Sequence, residues 1–380
     1  MVAQPNVTMA DVAKDAGVSV MTVSYAYNHP QRVSEKTRAR VTEAALRLGY
    51  LGPHPSARWL RQGRSNSVAV VVGEGLTYAF DDPESSRFLA GVAEVCVEYQ
   101  QSLTLLPVNG DQTDAARIRE SAADAFILWT GVSDGPLLAA ILASGRPVAI
   151  QGAPPESLRP SPAANGMRSS VHVVTIDDRA AAAAAAEVTF AGAHSPAIVS
   201  FALEDEQQPV VVHGPELESI KFPGARSRLL GFRDACERRG IAWESVPVAV
   251  VGRNHRQDAA PIVDELLRLP RRPDAVVAMS DQLALATIDM ATALGLTVPD
   301  DLAVSGWDDS AEARQHGLTS IHQALHDQGT QCALLALGQV EQAEEQPWAL
   351  SVRESTRSAP KSALAGVALR NSVGRCGEVW

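Results

Sequence analysis

Four cysteines in 380 residues leave little scope for cross-links. Cys96, Cys236, Cys332 and Cys376 stand far apart, with no C-x-x-C pair and no histidine at ligand spacing. They read as buried or idle thiols, and no metal is expected. His172, His194, His213, His255, His316, His322 and His326 sit singly, as surface or capping residues do. Long apolar runs are also missing, and Met1 to Asn6 has neither the basic start nor the apolar stretch of a signal peptide. A cytoplasmic protein is expected. There is no G-x-S-x-G, H-E-x-x-H or G-x-x-x-x-G-K-[ST] motif. Gly73 and Gly75 follow an apolar stretch, but Tyr78 stands where a dinucleotide fingerprint needs its third glycine. These absences argue against an enzyme, and no cofactor is expected.

Basic charge is scarce overall, at 33 Lys and Arg against 44 Asp and Glu, but it is unevenly placed. Residues 1–65 hold nine basic and four acidic side chains, a net +5, while the remainder carries −16. A small cationic head on an anionic body suits a protein that touches phosphates with one end only. The length calls for two or three domains.

The head carries TMADVAKDAGVSVMTVSYAYN, Thr8 to Asn28. Thr8 can cap a helix through Asp15, Ala16-Gly17-Val18 makes a corner, and Ser19 can cap a second helix from Val20 to about Tyr27. Val12, Ala13, Ala16, Val18 and Val23 would meet between them as the core of a helix-turn-helix. The outer face of the second helix then holds Val20, Met21, Thr22, Tyr25 and Asn28, and its N-terminal end is the part that such units place in the major groove. A third helix, Glu35 to Leu48 behind Ser34, closes the core with Val41, Ala44, Ala45 and Leu48. It leaves Lys36, Thr37, Arg38 and Arg40 outside, some of them to reach phosphates. Pro53 to Arg61 can form a short helix that needs a partner to persist.

DVAKDAGVSVMTVSYAYN resembles the N-terminal reader of LacI/GalR-family bacterial regulators, which usually show D-V-A-x-x-A-G-V-S-x-x-T-V-S. The resemblance implies that Thr8, Ser19, Val20, Met21, Thr22, Ser24, Tyr25, Asn28, Thr37 and Tyr50 face DNA. It also implies that 53–61 is a hinge helix, paired with its twin in the minor groove. Leu60 would be the wedge between base steps, with Ala57 beside it and His54 and Arg58 near the backbone. Relatives often carry Arg at position 25, so Tyr25 puts a guanine contact there in doubt.

From Ser67 the pattern alternates short apolar strands with helices. Strands are expected at 68–72, 103–108, 125–129, 147–151 and 171–176, and again at 198–202, 246–251, 275–278 and 302–305. Helices are expected at 86–100, 114–121, 137–144, 179–191, 228–239, 259–269 and 283–294. Asp177 or Asp178 would cap the alanine-rich helix. Glu204–Pro223 and Pro160–Ser169 read as surface loops, 327–341 as a helix and 349–354 as a closing strand. The fold class is therefore an all-α helix-turn-helix head followed by an α/β two-lobe body with parallel sheets and a cleft at the strand C-termini.

ARSRLLGF (225–232), AVVAMSDQLAL (275–285), VPDDLAVSGWDD (298–309) and LTSIHQ (318–323) resemble the effector-domain signatures of the same family. The resemblance implies a periplasmic-binding-protein-like body in which Arg228 bonds a ligand hydroxyl or acid; a surface ion pair is the alternative. Ser280 and Asp281 would border the cleft, or Asp281 would cap the next helix. Asp308 or Asp309 would accept ligand hydroxyls while Trp307 stacks on an apolar ring face. Phe80 is either a wall of the cleft or packing, and Gln323 serves either ligand or hinge.

The expected organisation is 1–52 reader, 53–66 hinge and linker, 67–356 sensor and a mobile 357–380 tail. One lobe takes 67–176 and 324–342, the other 177–322 and 347–356. The function this implies is a ligand-responsive repressor that binds an inverted-repeat DNA operator as a homodimer, its affinity set by a sugar or nucleoside. The alternative is a small-molecule binding protein or sugar-modifying enzyme with the same body.

Overall fold

The computed structural model describes residues 7–52, 64–73, 76, 80, 82–108, 112–129, 135–154, 158, 171–204 and 207–357. The chain divides into two compact units between Ser65 and Asn66.

In the first unit, α1 (Met9–Ala16), α2 (Val20–Asn28) and α3 (Glu35–Leu48) enclose a core of Val12, Ala13, Ala16, Val23, Val41, Ala44 and Ala45. Each helix begins at a hydroxyl. Thr8 accepts from Asp11 and Asp11 reciprocates, Ser19 accepts from the Thr22 amide, and Ser34 accepts from the Thr37 amide. Gly17 ends α1 at φ 60°, where a left-handed turn favours a residue without a side chain.

The second unit holds two sheets. β1 (Ser67–Val72), β2 (Ser102–Pro107), β3 (Ala125–Trp129), β4 (Val148–Gln151) and β5 (Val171–Val174) are all parallel, in the order β2-β1-β3-β4-β5. Alternate residues face opposite ways, so Val68, Val70, Ile127 and Trp129 pack on α4 (Pro83–Glu98) and α12 (Leu325–Ala336). Ala69, Val71, Phe126 and Leu128 pack toward α5 (Gln112–Glu120) and α6 (Pro136–Ala143) on the other face. The α4–α12 contact is close. A Cβ on Gly91 would lie 2.0 Å from the His326 carbonyl oxygen, and one on Gly329 would lie 2.2 Å from that of Phe88.

The second sheet comprises β6 (Pro196–Ser200), β7 (Val210–His213), β8 (Pro247–Val250), β9 (Ala275–Ala278), β10 (Ala303–Asp308), β11 (Thr319–Gln323) and β12 (Trp348–Ser351). Their order is β12-β11-β10-β9-β6-β8-β7. Helices α7 (Asp178–Thr189), α8 (Pro223–Arg238), α9 (Arg256–Leu267), α10 (Asp281–Ala293) and the short α11 (Ala311–Gln315) accompany it. The alanine run is a packing surface: α8 approaches α7 so closely that a Cβ on Gly231 would lie 2.2 Å from the Arg179 carbonyl oxygen.

The sheets are parallel as expected, except that β7 and β12 run antiparallel to their neighbours at the two edges of the second sheet. One expectation is corrected. Glu204–Pro223 is not merely a surface loop: it contains β7 and a short turn that buries Leu217 and Ile220. Pro209 and Gly214-Pro215 bracket the strand and disguise it as punctuation. Asp177, not Asp178, caps α7 through the Ala180 amide. The segment 159–170 lies outside the described residues.

Candidate nucleic-acid and effector sites

The N-terminal end of α2 presents Val20 and Met21 to solvent, 48% and 61% exposed. Beside them the Ser19 and Thr22 hydroxyls lie 2.8 Å apart, and Ser34 and Thr37 repeat the arrangement at the start of α3. Two hydroxyl-bearing helix N-termini of this kind suit phosphate oxygens. Thr8 is exposed, its hydroxyl donating to Asp11 over 2.7 Å. That bond and the one from the Thr8 amide hold the Asp11 carboxyl below its usual range.

Tyr25 is half-buried, edge-on to His29 and beneath the Arg32 guanidinium. Asn28 donates to the Ser24 carbonyl and hydroxyl, so the two are linked. Tyr50 packs edge-on against Tyr27 at 5.8 Å, where burial raises its phenol. Arg40 is exposed as expected, and it also donates to the carbonyls of Ala16 and Gly17 at the end of α1. His54, Ala57, Arg58 and Leu60 lie outside the described residues.

In the second unit the strand ends of the second sheet gather most of the expected cleft residues. Arg228 enters from α8. Its Nε donates to Asp178 over 3.0 Å, an Nη donates to the Met279 carbonyl, and the guanidinium lies 3.8 Å from the Trp307 ring centroid. Burial pushes the Asp178 carboxyl up despite this partner. The alternative of a surface ion pair is corrected, for both side chains are largely buried. Trp307 is fully buried and covered by Arg228, so its ring is core and not an open platform for a ligand.

Ser280 caps α10, accepting from the Leu283 amide and donating to Asn254. Asp281 is not that cap. Its two oxygens accept from the Ser310 amide and the Ser320 hydroxyl, each over 2.7 Å, and burial raises its carboxyl to about 6. Asp308 and Asp309 both adopt positive φ, at 111° and 52°, and turn their side chains apart. Asp309 is held by Arg353 and Arg314, which keep it below the usual range against the effect of burial. Asp308 accepts instead from Gln323 over 2.7 Å. Desolvation, with the carboxylates of Asp281 and Glu84 nearby, raises it well above the usual range. Phe80 is 65% exposed.

The residues 8–53 match the model of bacterial regulatory proteins of the lacI family, and 217–357 match a periplasmic binding protein-like domain. An HTH-type transcriptional regulator of Mycobacterium tuberculosis is 32% identical over 324 residues, covering 84% of this chain and 87% of that one. The chain belongs to the lacI family. The HTH-type transcriptional repressor CytR of Escherichia coli is 31% identical over 338 residues, covering 88% of this chain and 90% of its own. A structure of the transcriptional regulator CelR in complex with cellobiose superposes with a TM-score of 0.61 at 26% identity, covering 92% of this chain and 99% of that one. As a lacI-family protein it is a DNA-binding transcriptional regulator with a periplasmic-binding-protein-like body, as the resemblance implied.

Sequence reasoning missed two buried carboxyls beside the expected cleft residues. Asp178 was hidden beside the true cap Asp177. Glu84, on the first turn of α4, is 6% exposed, and burial raises its carboxyl to about 7. A glutamate after a proline at a helix start gave no signal beyond a favourable helix dipole. Among the described residues no group of side chains could hold a metal ion, and no helix is long and apolar enough to cross a membrane.

Proposed function

We propose that this regulator is a homodimeric repressor, its two readers set in adjacent major-groove half-sites of an inverted repeat. The observation that carries the reading is the exposed start of α2, where Val20 and Met21 stand beside the hydroxyls of Ser19 and Thr22. Val20 and Met21 offer no donors, so they favour thymine methyls, while Tyr25 makes one directional bond. Thr8, Ser24, Asn28, Thr37 and Tyr50 also face the DNA, and in the hinge Leu60 wedges the central step with Ala57 beside it and His54 and Arg58 near the backbone. Residues 1–52 read, 53–66 link, and 67–356 sense, with the lobes at 67–176 plus 324–342 and 177–322 plus 347–356.

The effector, a sugar or nucleoside, lies between the lobes against Arg228, Asp308 and Gln323, with Ser280, Asp281 and Phe80 around it and Trp307 behind Arg228. Its binding shifts the lobes and so decides whether the hinge segments pair, a population shift that needs no contact between the sites. The reading needs neither cofactor nor catalysis and places the protein in the cytoplasm with its DNA.

The test is a gel-shift with the upstream region of the protein's own gene, over a salt series and with candidate effectors. Salt-sensitive retardation, weakened by Leu60→Ala without loss of folding, is expected. A monomeric protein at working concentration, or undiminished affinity after removal of residues 1–65, would overturn it.

A further inference from the structure

The polar groups between the two sheets are unequal in sign. Asp82 caps α4 through the Ser85 amide and hydroxyl, and Glu84 follows on the same turn, paired at 3.3 Å with the more exposed Arg87. Opposite them stand Asp281 and Asp308, close enough for their charges to act on Glu84 and, for Asp308, on Asp82. The arrangement is fixed from below. Helix α4 is locked to α12 through Gly91 and Gly329, and α12 begins two residues after Gln323, which holds Asp308.

Among the described residues the guanidinium whose charge acts on Asp308 is that of Arg228, and it is already paired with Asp178. Two fully buried donors, one beside each sheet, lack a partner among the described residues. One is Nε1 of Trp307, and the other is Nε2 of Gln328, whose oxygen accepts from Gln151. Among the described residues the region thus has carboxylate acceptors on both sides and neutral donors without partners, while the guanidiniums of Arg87 and Arg228 are each paired with a carboxylate.

We propose that Glu84 is a specificity residue of the cleft. With Asp308 it accepts hydroxyls of an uncharged, hydroxyl-rich effector from the two sides, and the pair turns away phosphorylated or carboxylated forms of the same molecule. The inference rests on the reading that this cleft holds the effector. It adds the charge of the ligand and a residue on the first sheet's side. At pH 8, above the raised range of Glu84, an anion brought between Glu84, Asp82 and Asp308 meets like charge in a desolvated space, worth about a hundredfold or more in affinity.

The experiment uses the full-length protein and matched pairs in thermal-shift and calorimetric titrations: glucose and glucose 6-phosphate, ribose and ribose 5-phosphate, cytidine and its 5′-monophosphate, cellobiose and cellobionate. A neutral member should raise the melting temperature while its anionic partner does not. Glu84→Gln should narrow that discrimination about tenfold. Tighter binding of an anionic member, or discrimination unchanged in Glu84→Gln, overturns the proposal.

A second readout needs no ligand. Glu84 faces Arg87 and Asp82 of its own segment and Asp281 of α10, and Asp308 faces Asp281, Glu84, Asp82 and Arg228. Glu84→Gln and Asp308→Asn should each raise the melting temperature at pH 8 and much less at pH 4. The double variant should gain less than the sum, because each change relieves the same repulsion. Additive gains, or none, refute the pairing. No DNA retardation either with or without ligand, while the neutral ligands still bind, would sink the regulatory reading and leave this one standing.

Discussion

Arg228 donates its Nε to Asp178 over 3.0 Å while its guanidinium lies on the indole of Trp307. The three side chains come from α8, α7 and β10, so one cation ties two helices to the strand that ends in Asp308. Removing it leaves a buried carboxylate without its partner. Arg228→Ala is expected to cost about 3 kcal/mol in urea unfolding, and Arg228→Lys less, since an ammonium keeps the charge but not the stacked plane. Equal losses for the two would show that only charge matters.

Arg40 and Arg38 sit two residues apart on α3 and should behave differently on DNA. Arg40 ties α3 to the end of α1, so Arg40→Ala should lower the stability of the reader by about 1 kcal/mol. It should weaken DNA binding with the slope of log affinity against log salt unchanged. Arg38 is exposed, and Arg38→Ala should reduce that slope by about 1 if it meets a phosphate.

Met21 is the most exposed apolar side chain on α2. Met21→Ala should lose about 1–3 kcal/mol of discrimination at one base pair of each half-site, measured by competition among operator variants. Non-specific affinity should hold. A uniform loss across sequences would move Met21 from base readout to support.

The pH dependence follows from carboxyls raised in the folded state. Glu84 rises from 4.5 to about 7 and Asp281 from 3.8 to about 6, so the folded protein holds more protons than the unfolded chain between these values. The contribution of these groups is then full below about pH 4 and is lost as pH rises through 6 and 7, on the order of 3 kcal/mol from Glu84 alone. Asp178 and Asp308 act with the same sign. His172, lowered by burial, opposes them. Melting temperatures should therefore fall between pH 5 and 7.5. A rise over that interval would show that these carboxyls are not desolvated.

Local chemistry made the reader legible. Thr8, Ser19 and Ser34 each satisfy amides three residues away, and Gly17 takes a left-handed turn that side chains disfavour, so these boundaries need nothing from the rest of the chain. The alanine run announced α7 by propensity, yet which of two aspartates caps it depended on Arg228, fifty residues away. β7 was overlooked because an edge strand of four residues lacks the periodicity that a longer one displays.

The order of residues by itself determined the helix caps, the alternating apolar runs and the cationic head on an anionic body, because each depends on neighbours or on simple sums. Only the tertiary structure decided that Trp307 is core under Arg228, that Asp309 is spent on Arg353 and Arg314, and that Asp308 faces Gln323 and Glu84. Those assignments depend on which charges share a desolvated space, and that is fixed by chain segments brought together from opposite ends of the fold.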